Sequence, residues 1–274
     1  MEGKYIQLNG SVIDVETSAV QITYENMEAS LEFARDISER KRAEQERQAL
    51  QERLQRSEKM ETVGQLAEGV AHDLNNVLGV AMIYSELLQE STPEGSPLRK
   101  AVDGIFISSQ KAAAIIADLL TLARRSVIVP EVLNLNSLIS SFFQPHAFEK
   151  IKGFNPLVTF RVELDRELPN IEGSPVHLEK TVMNLLSNAA SAISGRGDVT
   201  IRTESRYLDR PVSGYDTVME GNYVVLTVFD TGRGIPAEHM GKIFEPFYTK
   251  KTMGRGGTGL GLAIVWSTVK DHKR

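Results

Sequence analysis

Apolar and small residues recur three and four positions apart at Met60, Val63, Ala67, Val70, Leu74, Val77 and Ala81, the a/d spacing of a helix buried against a partner helix. In that phase His72 falls at f and faces water. Asn76 lies one turn further along the same outer face, and Asp73 sits beside the histidine at g. The breaker cluster STPEGSP at 91–97 ends this helix, and a second seam follows at Leu98, Val102, Ile105, Ser109, Ala112, Ile116, Leu119 and Ala123. Two helices with matching seams and a short loop predict an antiparallel hairpin. One apolar stripe per helix cannot close a core, so two hairpins are expected to pair as a homodimeric four-helix bundle.

Outside the hairpin the period changes. Between Tyr5 and Phe33 the chain alternates and is rich in β-branched residues, with Asn9-Gly10 as a turn signal, which predicts about three short antiparallel strands. A run dense in both charge signs follows, with sparse apolar positions at Ile37, Leu50 and Leu54, and suits a solvated coiled-coil connector or a lone charged helix. Its phase does not join the Met60 seam cleanly, so a stutter is expected between them. Further on, LVTFRVEL (157–164) and DVTIRTESRYL (198–208) alternate like half-buried strands, and YVVLTVFD (223–230) has the apolar run of a central one. Between the first two, a helical pattern starts with Ser174 as N-cap and Pro175 at the first position, its apolar face being Leu178, Val182, Leu185, Leu186, Ala189 and Ile193. Helices on one face of a mixed sheet make an α/β sandwich, so the chain reads as an α+β multidomain protein.

Composition narrows the chemistry. A net charge of −5 gives no reason to expect nucleic acid as a partner. The absence of cysteine excludes disulfides, thiolate metal sites and cysteine nucleophiles. The five histidines show neither HxxxH nor HExxH spacing, which gives zinc little support. No apolar run was expected to reach the roughly 20 residues that cross a bilayer, and no signal peptide opens the chain, so a cytoplasmic protein without a membrane segment is expected.

Three stretches can carry chemistry around His72. Asn184 and Asn188, four apart, share a side of the Ser174 helix; such pairs are often plain surface residues, but carboxamide oxygens also hold magnesium against phosphates. Asp230 ends a strand and runs into TGRGIP, where Gly232 and Gly234 allow a sharp turn or a close ligand. GRGGTGLGLAIV (254–265), with Lys250, Lys251 and Arg255 near it, enters a helix at about Leu260 and presents free N–H groups to phosphate oxygens, unless it is only a flexible linker. It is neither a Walker loop nor a Rossmann fingerprint.

HDLNN at His72, NLLSNA at Asn184, DTGRGIP at Asp230, FEPFYTKK at Phe244 and GTGLGLA at Gly257 resemble, in order and approximate spacing, the H, N, G1, F and G2 boxes of bacterial two-component sensor histidine kinases, the HDLNN form being similar to the nitrogen-regulator-like subgroup. DISERKRAE from Asp36 resembles the exit of a PAS sensor domain. The resemblance implies the end of a PAS-like domain at 1–35, a signalling helix at 36–62, a dimerisation and phosphotransfer hairpin at 63–127, and an ATP-binding domain of the gyrase and histidine-kinase type at 130–274. Family members continue past the equivalent of Val265 with a glycine turn and further strands, so this domain is expected to be shortened.

The implied roles follow residue by residue. His72 takes the γ-phosphoryl group of ATP, Asp73 fixes its tautomer, and Asn76 orients water for the reverse, phosphatase reaction. Asn188 and Asn184 hold Mg2+. Asp230, with Gly232 and Gly234, takes the adenine end, and Gly257, Thr258, Gly259, Leu260 and Gly261 take the phosphates. Lys250, Lys251 and Arg255 are lid cations, and Phe247 packs the lid. An aspartate on a response-regulator receiver domain is the expected acceptor. Two alternatives stand beside this: a catalytically impaired dimeric scaffold or phosphatase, and a gyrase-like ATPase, which places a glutamate base where this chain has Asn184.

Overall fold

The N-terminal alternation folds as a three-stranded antiparallel sheet in the order β1 (Glu2–Ile6), β2 (Val12–Tyr24), β3 (Met27–Asp36). The structure, a computed structural model, describes residues 1–24, 27–123, 130–212, 214–250 and 257–272. It comprises two units, Met1–Lys59 and Met60–Arg274. Gly10, at φ 84°, makes the expected first turn, and the three strands are as expected, except that β2 is long, at 13 residues. By register Ile6, Val12, Val20, Ile22, Leu31 and Phe33 share one face of the sheet, and all are exposed. The Asp36 carboxylate accepts from Ser38 N at 2.8 Å, and that bond holds its pKa below the ordinary range. Helix α1 (Ser38–Ser91) starts there, with Lys41 paired to Glu2 at 2.9 Å and to Asp14 at 3.0 Å.

In the second unit the chain folds back through a short turn into α2 (Pro97–Ala123). Arg99 donates to the carbonyls of Gln89 and Thr92, acceptors that the end of α1 leaves free, and Gln89 donates to Asp103 at 2.7 Å. The hairpin is therefore as expected. On α2 the expected seam is buried at Val102, Ser109 and Ile116, though Leu98 and Ile105 are exposed. On α1 the stripe differs: Ala71 and Ser85 are buried, as is Thr92 just past its end, whereas Val70, Leu74 and Val77 are exposed, so the hairpin covers a stripe beside the expected α1 seam. The side chains of Met60, Val63 and Ala67 lie outside the described residues. No interruption of α1 marks the expected boundary at 62/63. The expectation about apolar length needs correction, because Pro97–Leu122 is long and apolar enough to cross a membrane by length and composition.

The rest of the second unit is a sheet with helices on one face. The small sheet β4 (Glu131–Leu133) and β6 (Ile171–Gly173) precedes α5 (Pro175–Ala192). The larger sheet is β5 (Val158–Glu163), β7 (Gly197–Leu208) and β8 (Gly221–Asp230), with β5–β7 parallel and β7–β8 antiparallel. The run expected to be a central strand is thus β8, at the edge among the described residues; the central strand is β7. An apolar run reports what packs on a strand's faces, not how many neighbours it pairs with. Two helices unforeseen in the sequence, α3 (Leu135–Phe142) and α4 (Pro145–Lys152), complete the cover, joined to β5 by a cluster of Phe143, Phe148 and Phe160 with ring centroids 5.5–6.4 Å apart.

Helix α5 lies over this sheet, burying Val182, Leu186, Ala189 and Ile193 against Ile139, Val199 and Ile201. Ser174 is its N-cap but makes no side-chain cap bond; its hydroxyl meets His177 Nδ1, while its N–H donates to His272 Nε2 at 2.9 Å. Burial, then the neighbouring His272, lowers the pKa of His177 against a smaller opposing pull from Asp271. The short helix α6 (Ala237–Met240) follows β8; helix α7 (Gly261–Asp271) packs beside α5, and the last turns of α2 meet both α5 and α7. There Leu122 is buried among Leu260, Ala263 and Ile264, and Asp118 pairs with Lys180 at 2.5 Å.

Leu186 is 0% exposed and Val176, on the same helix, 72%. Leu186→Ala is expected to cost about 2–5 kcal/mol in urea unfolding followed by circular dichroism. Val176→Ala should stay within about 0.5 kcal/mol of the parent.

Candidate functional site

Strand register aims the first site residue. Asp230 pairs with Val199, and Val199 faces the helices, so the Asp230 carboxylate emerges on the helix side while Phe229 points out. Its Oδ1 accepts from Gly232 N at 2.8 Å. The turn is seated on the end of α5, where Arg233 N donates to Ala192 O at 3.3 Å. A side chain at Gly232 has no room, since a Cβ would lie 2.6 Å from Asp230 Oδ1 and 2.8 Å from Ala192. Gly234 has open space but a φ of 68°, which favours glycine.

Helix α5 presents Asn184 and Asn188 on the side that meets the start of α7. Asn184 Nδ2 donates to Gly261 O at 3.3 Å, and a Cβ on Gly261 would lie 3.5 Å from Asn184 Oδ1 and 3.6 Å from Asn188 Nδ2. The sequence pair is thereby brought onto Gly261 at the start of α7. Among the described residues no three His, Asp or Glu side chains gather to hold a metal. A divalent ion here would draw on asparagine oxygens and the ligand's own phosphates, which suits magnesium, whose sites commonly combine few protein oxygens with phosphate and water.

The loop into α7 is pinched at its base. Phe247 N donates to Gly259 O at 3.0 Å, Phe247 has a φ of 65°, and Gly259 has a φ of 72°. A Cβ on Gly259 would lie 2.5 Å from the Phe247 carbonyl carbon. Thr258 Oγ1 accepts from Leu260 N at 3.2 Å, and Leu260 itself is buried. Gly257 has a φ of 90°, and Lys250 is exposed. Lys251 and Arg255 lie outside the described residues.

His72 stands on α1 with its side chain 79% exposed and that of Asp73 84% exposed. Nδ1 lies 3.2 Å from Asp73 Oδ1 and 3.5 Å from Asn76 Nδ2. The closer carboxylate favours the tautomer with the proton on Nδ1, leaving the Nε2 lone pair outward. Among the described residues these two partners, both on α1, are the polar contacts of His72; no bond joins it to Asn184, Asn188 or Asp230. A recess of about 330 Å3 bordered by Thr121, Phe142, His177 and Lys180 contains none of the expected site residues. The sequence reading missed Ala192, which seats the Asp230 turn, and Trp266, whose only sequence signal is that it is the single tryptophan.

Two family models match the chain: the His Kinase A (phospho-acceptor) domain over residues 62–126, and the histidine kinase-, DNA gyrase B- and HSP90-like ATPase over residues 173–273. Sensor kinase CckA of Brucella abortus is 35% identical over 82% of this chain and 24% of its own length. Sporulation kinase A of Bacillus subtilis is 30% identical over 96% of this chain and 38% of its own. The chain thus spans well under half of these curated relatives. The crystal structure of full-length ShkA in complex with AMPPNP has the same fold over 77% of this chain and 41% of that one, at 23% identity and a TM-score of 0.53.

Gly259→Ala forces a side chain into a positive-φ position already occupied by Phe247. It is expected to destabilise by at least about 1–3 kcal/mol in urea unfolding. Gly241→Ala, in open space at a φ of −70°, should stay within about 0.5 kcal/mol.

Proposed function

The chain belongs to the histidine kinase family, its phospho-acceptor hairpin followed by its ATPase-type domain, and we propose that it binds Mg-ATP, phosphorylates His72 and passes the phosphoryl group to an aspartate of a response-regulator receiver domain. The observation that carries this is the exposed His72 with Nδ1 turned to Asp73 at 3.2 Å, because a nucleophilic imidazole needs its other nitrogen free. Nε2 attacks the γ-phosphorus, an N–P bond forms, the P–O bond to ADP breaks, and Asp73 stabilises the positive charge gained by the ring before a proton leaves. Asn188 and Asn184 would hold magnesium, which supplies charge neutralisation on the phosphates. Asp230 accepts from the adenine amino group, and the backbone N–H groups from Gly257 to Gly261 face the phosphates. Lys250, Lys251 and Arg255 supply lid cations.

Asn76, beside the imidazole, orients water for dephosphorylation of the regulator in the HDLNN subgroup reading. The exposed Val70, Leu74, Val77, Leu98 and Ile105 favour a second copy as the partner of the hairpin. The same reading treats α2 as a bundle helix rather than a membrane span, since Asp118 and Asp103 are engaged by Lys180 and Gln89, and puts the protein in the cytoplasm, where ATP is supplied. The β1–β3 sheet is the end of a PAS-like sensor domain. A gyrase-like hydrolase fits less well, because the position of its glutamate base holds Asn184, whose amide is bonded to Gly261.

Incubation with γ-labelled ATP and magnesium is expected to give an acid-labile, alkali-stable label that is lost in His72→Gln. Label retained in that variant, or absent from the parent while nucleotide binding persists, would sink the kinase reading in favour of a scaffold or phosphatase. Asn76→Ala should slow regulator dephosphorylation at least tenfold while leaving His72 labelling largely intact, measured as loss of label from the phosphorylated receiver.

A further inference from the structure

Strands β7 and β8 are antiparallel neighbours that a loop of about 2–5 residues can join. Here residues 209–220 separate them, and this longer connection has structure of its own: Val212 and Val218 form an antiparallel bridge with bonds of 2.8 and 2.9 Å. Its Tyr215 and Asp216 are half-buried on two elements distant in sequence. The Tyr215 ring meets Phe244 edge-on at 4.7 Å and Trp266 at 6.0 Å, while Asp216 Oδ2 accepts from Trp266 Nε1 at 2.9 Å. Lys270 Nζ lies over the indole, 4.6 Å from the ring centroid.

Phe244 precedes the pinch between Phe247 and Gly259, and Trp266 follows it on α7. The loop therefore grips the chain on both sides of the nucleotide glycines. Trp266 also packs against the Leu122, Leu260, Ala263 and Ile264 cluster, so its placement fixes the α7 turn that carries Gly261 to Asn184. We propose that Tyr215 and Asp216 are positioning residues for nucleotide binding: the β7–β8 loop braces Trp266 against Phe244 and so sets the distance between the phosphate-loop glycines and the α5 asparagines. Neither residue is among those proposed to contact the nucleotide. The inference rests on the proposed kinase reading for its consequence on ATP, but not for the brace itself.

The single tryptophan makes the brace directly readable. In the nucleotide-free chain, Asp216→Ala is expected to red-shift Trp266 emission and raise acrylamide quenching about twofold or more, with the thermal midpoint moved by less than about 4 °C. Asp216→Asn keeps an acceptor oxygen and should restore the parent spectrum. Tyr215→Ala should act like Asp216→Ala, and Tyr215→Phe, which keeps the ring, like the parent. Calorimetric titration with Mg-ATP should then show affinity about fivefold weaker in both alanine variants and near the parent value in Asp216→Asn and Tyr215→Phe. Unchanged emission in the alanine variants would overturn the brace, as would altered emission with unchanged affinity in a parent that binds ATP. A parent that binds no ATP defeats the kinase reading instead, and the brace then stands or falls on the fluorescence of the four variants.

Discussion

The site depends on α5 being held on two sides at once. Its apolar face is locked to the sheet through Val182, Leu186 and Ala189, and its flank is locked to α7 through the Asn184–Gly261 bond. A helix packed only on the sheet would have its depth set and little else. With α7 alongside, the asparagine carboxamides are brought to the glycines that receive them. The end of the same helix seats the Asp230 turn through Ala192, so one rigid element orients both the Asp230 turn and the start of α7 at the candidate site.

The glycines act by different physical means. At Gly232 the constraint is space, because Ala192 and the Asp230 carboxylate already fill the volume a side chain needs. At Gly259 space and backbone conformation coincide, and Phe247 carries a positive φ of its own opposite it. A non-glycine residue in that region costs energy that surrounding contacts must offset, and Tyr215 makes aromatic contacts with Phe244 before this pinch and Trp266 after it. The proposed phospho-acceptor is built in the opposite way: among the described residues His72 is oriented by Asp73 and Asn76 on its own helix, and its side chain stays exposed.

Much of this was legible in the chain. The hairpin, its turn, the strand segments at 158–163, 197–208 and 221–230, the apolar face of α5 and the entry to α7 near Leu260 all follow from period, capping residues and breakers, which act over a few residues. The motif residues were legible for the same reason, since each box is local. Less legible were α3 and α4, two helices of 8 residues each, too short for their periodicity to separate from loop. At the start of α5 Ser174 holds the expected N-cap position, but its side chain makes no cap bond and its own N–H donates to His272 Nε2, far along the chain.

Local spacing thus located the longer helices and strands and the candidate chemical side chains, because those properties belong to short stretches of backbone, whereas the lack of room at Gly232 and Gly259 comes from tertiary contacts with Ala192 and Phe247. It did not settle which apolar stripe of α1 the hairpin covers, because two adjacent stripes satisfy the same period and only packing against α2 chooses between them. It did not settle that β8 is an edge strand, because hydrophobicity records face burial and not pairing. Nor did it reveal Tyr215, Asp216 and Trp266 as one contact, since residues 50 apart in the chain acquire a shared role only when the fold brings an indole N–H to a carboxylate.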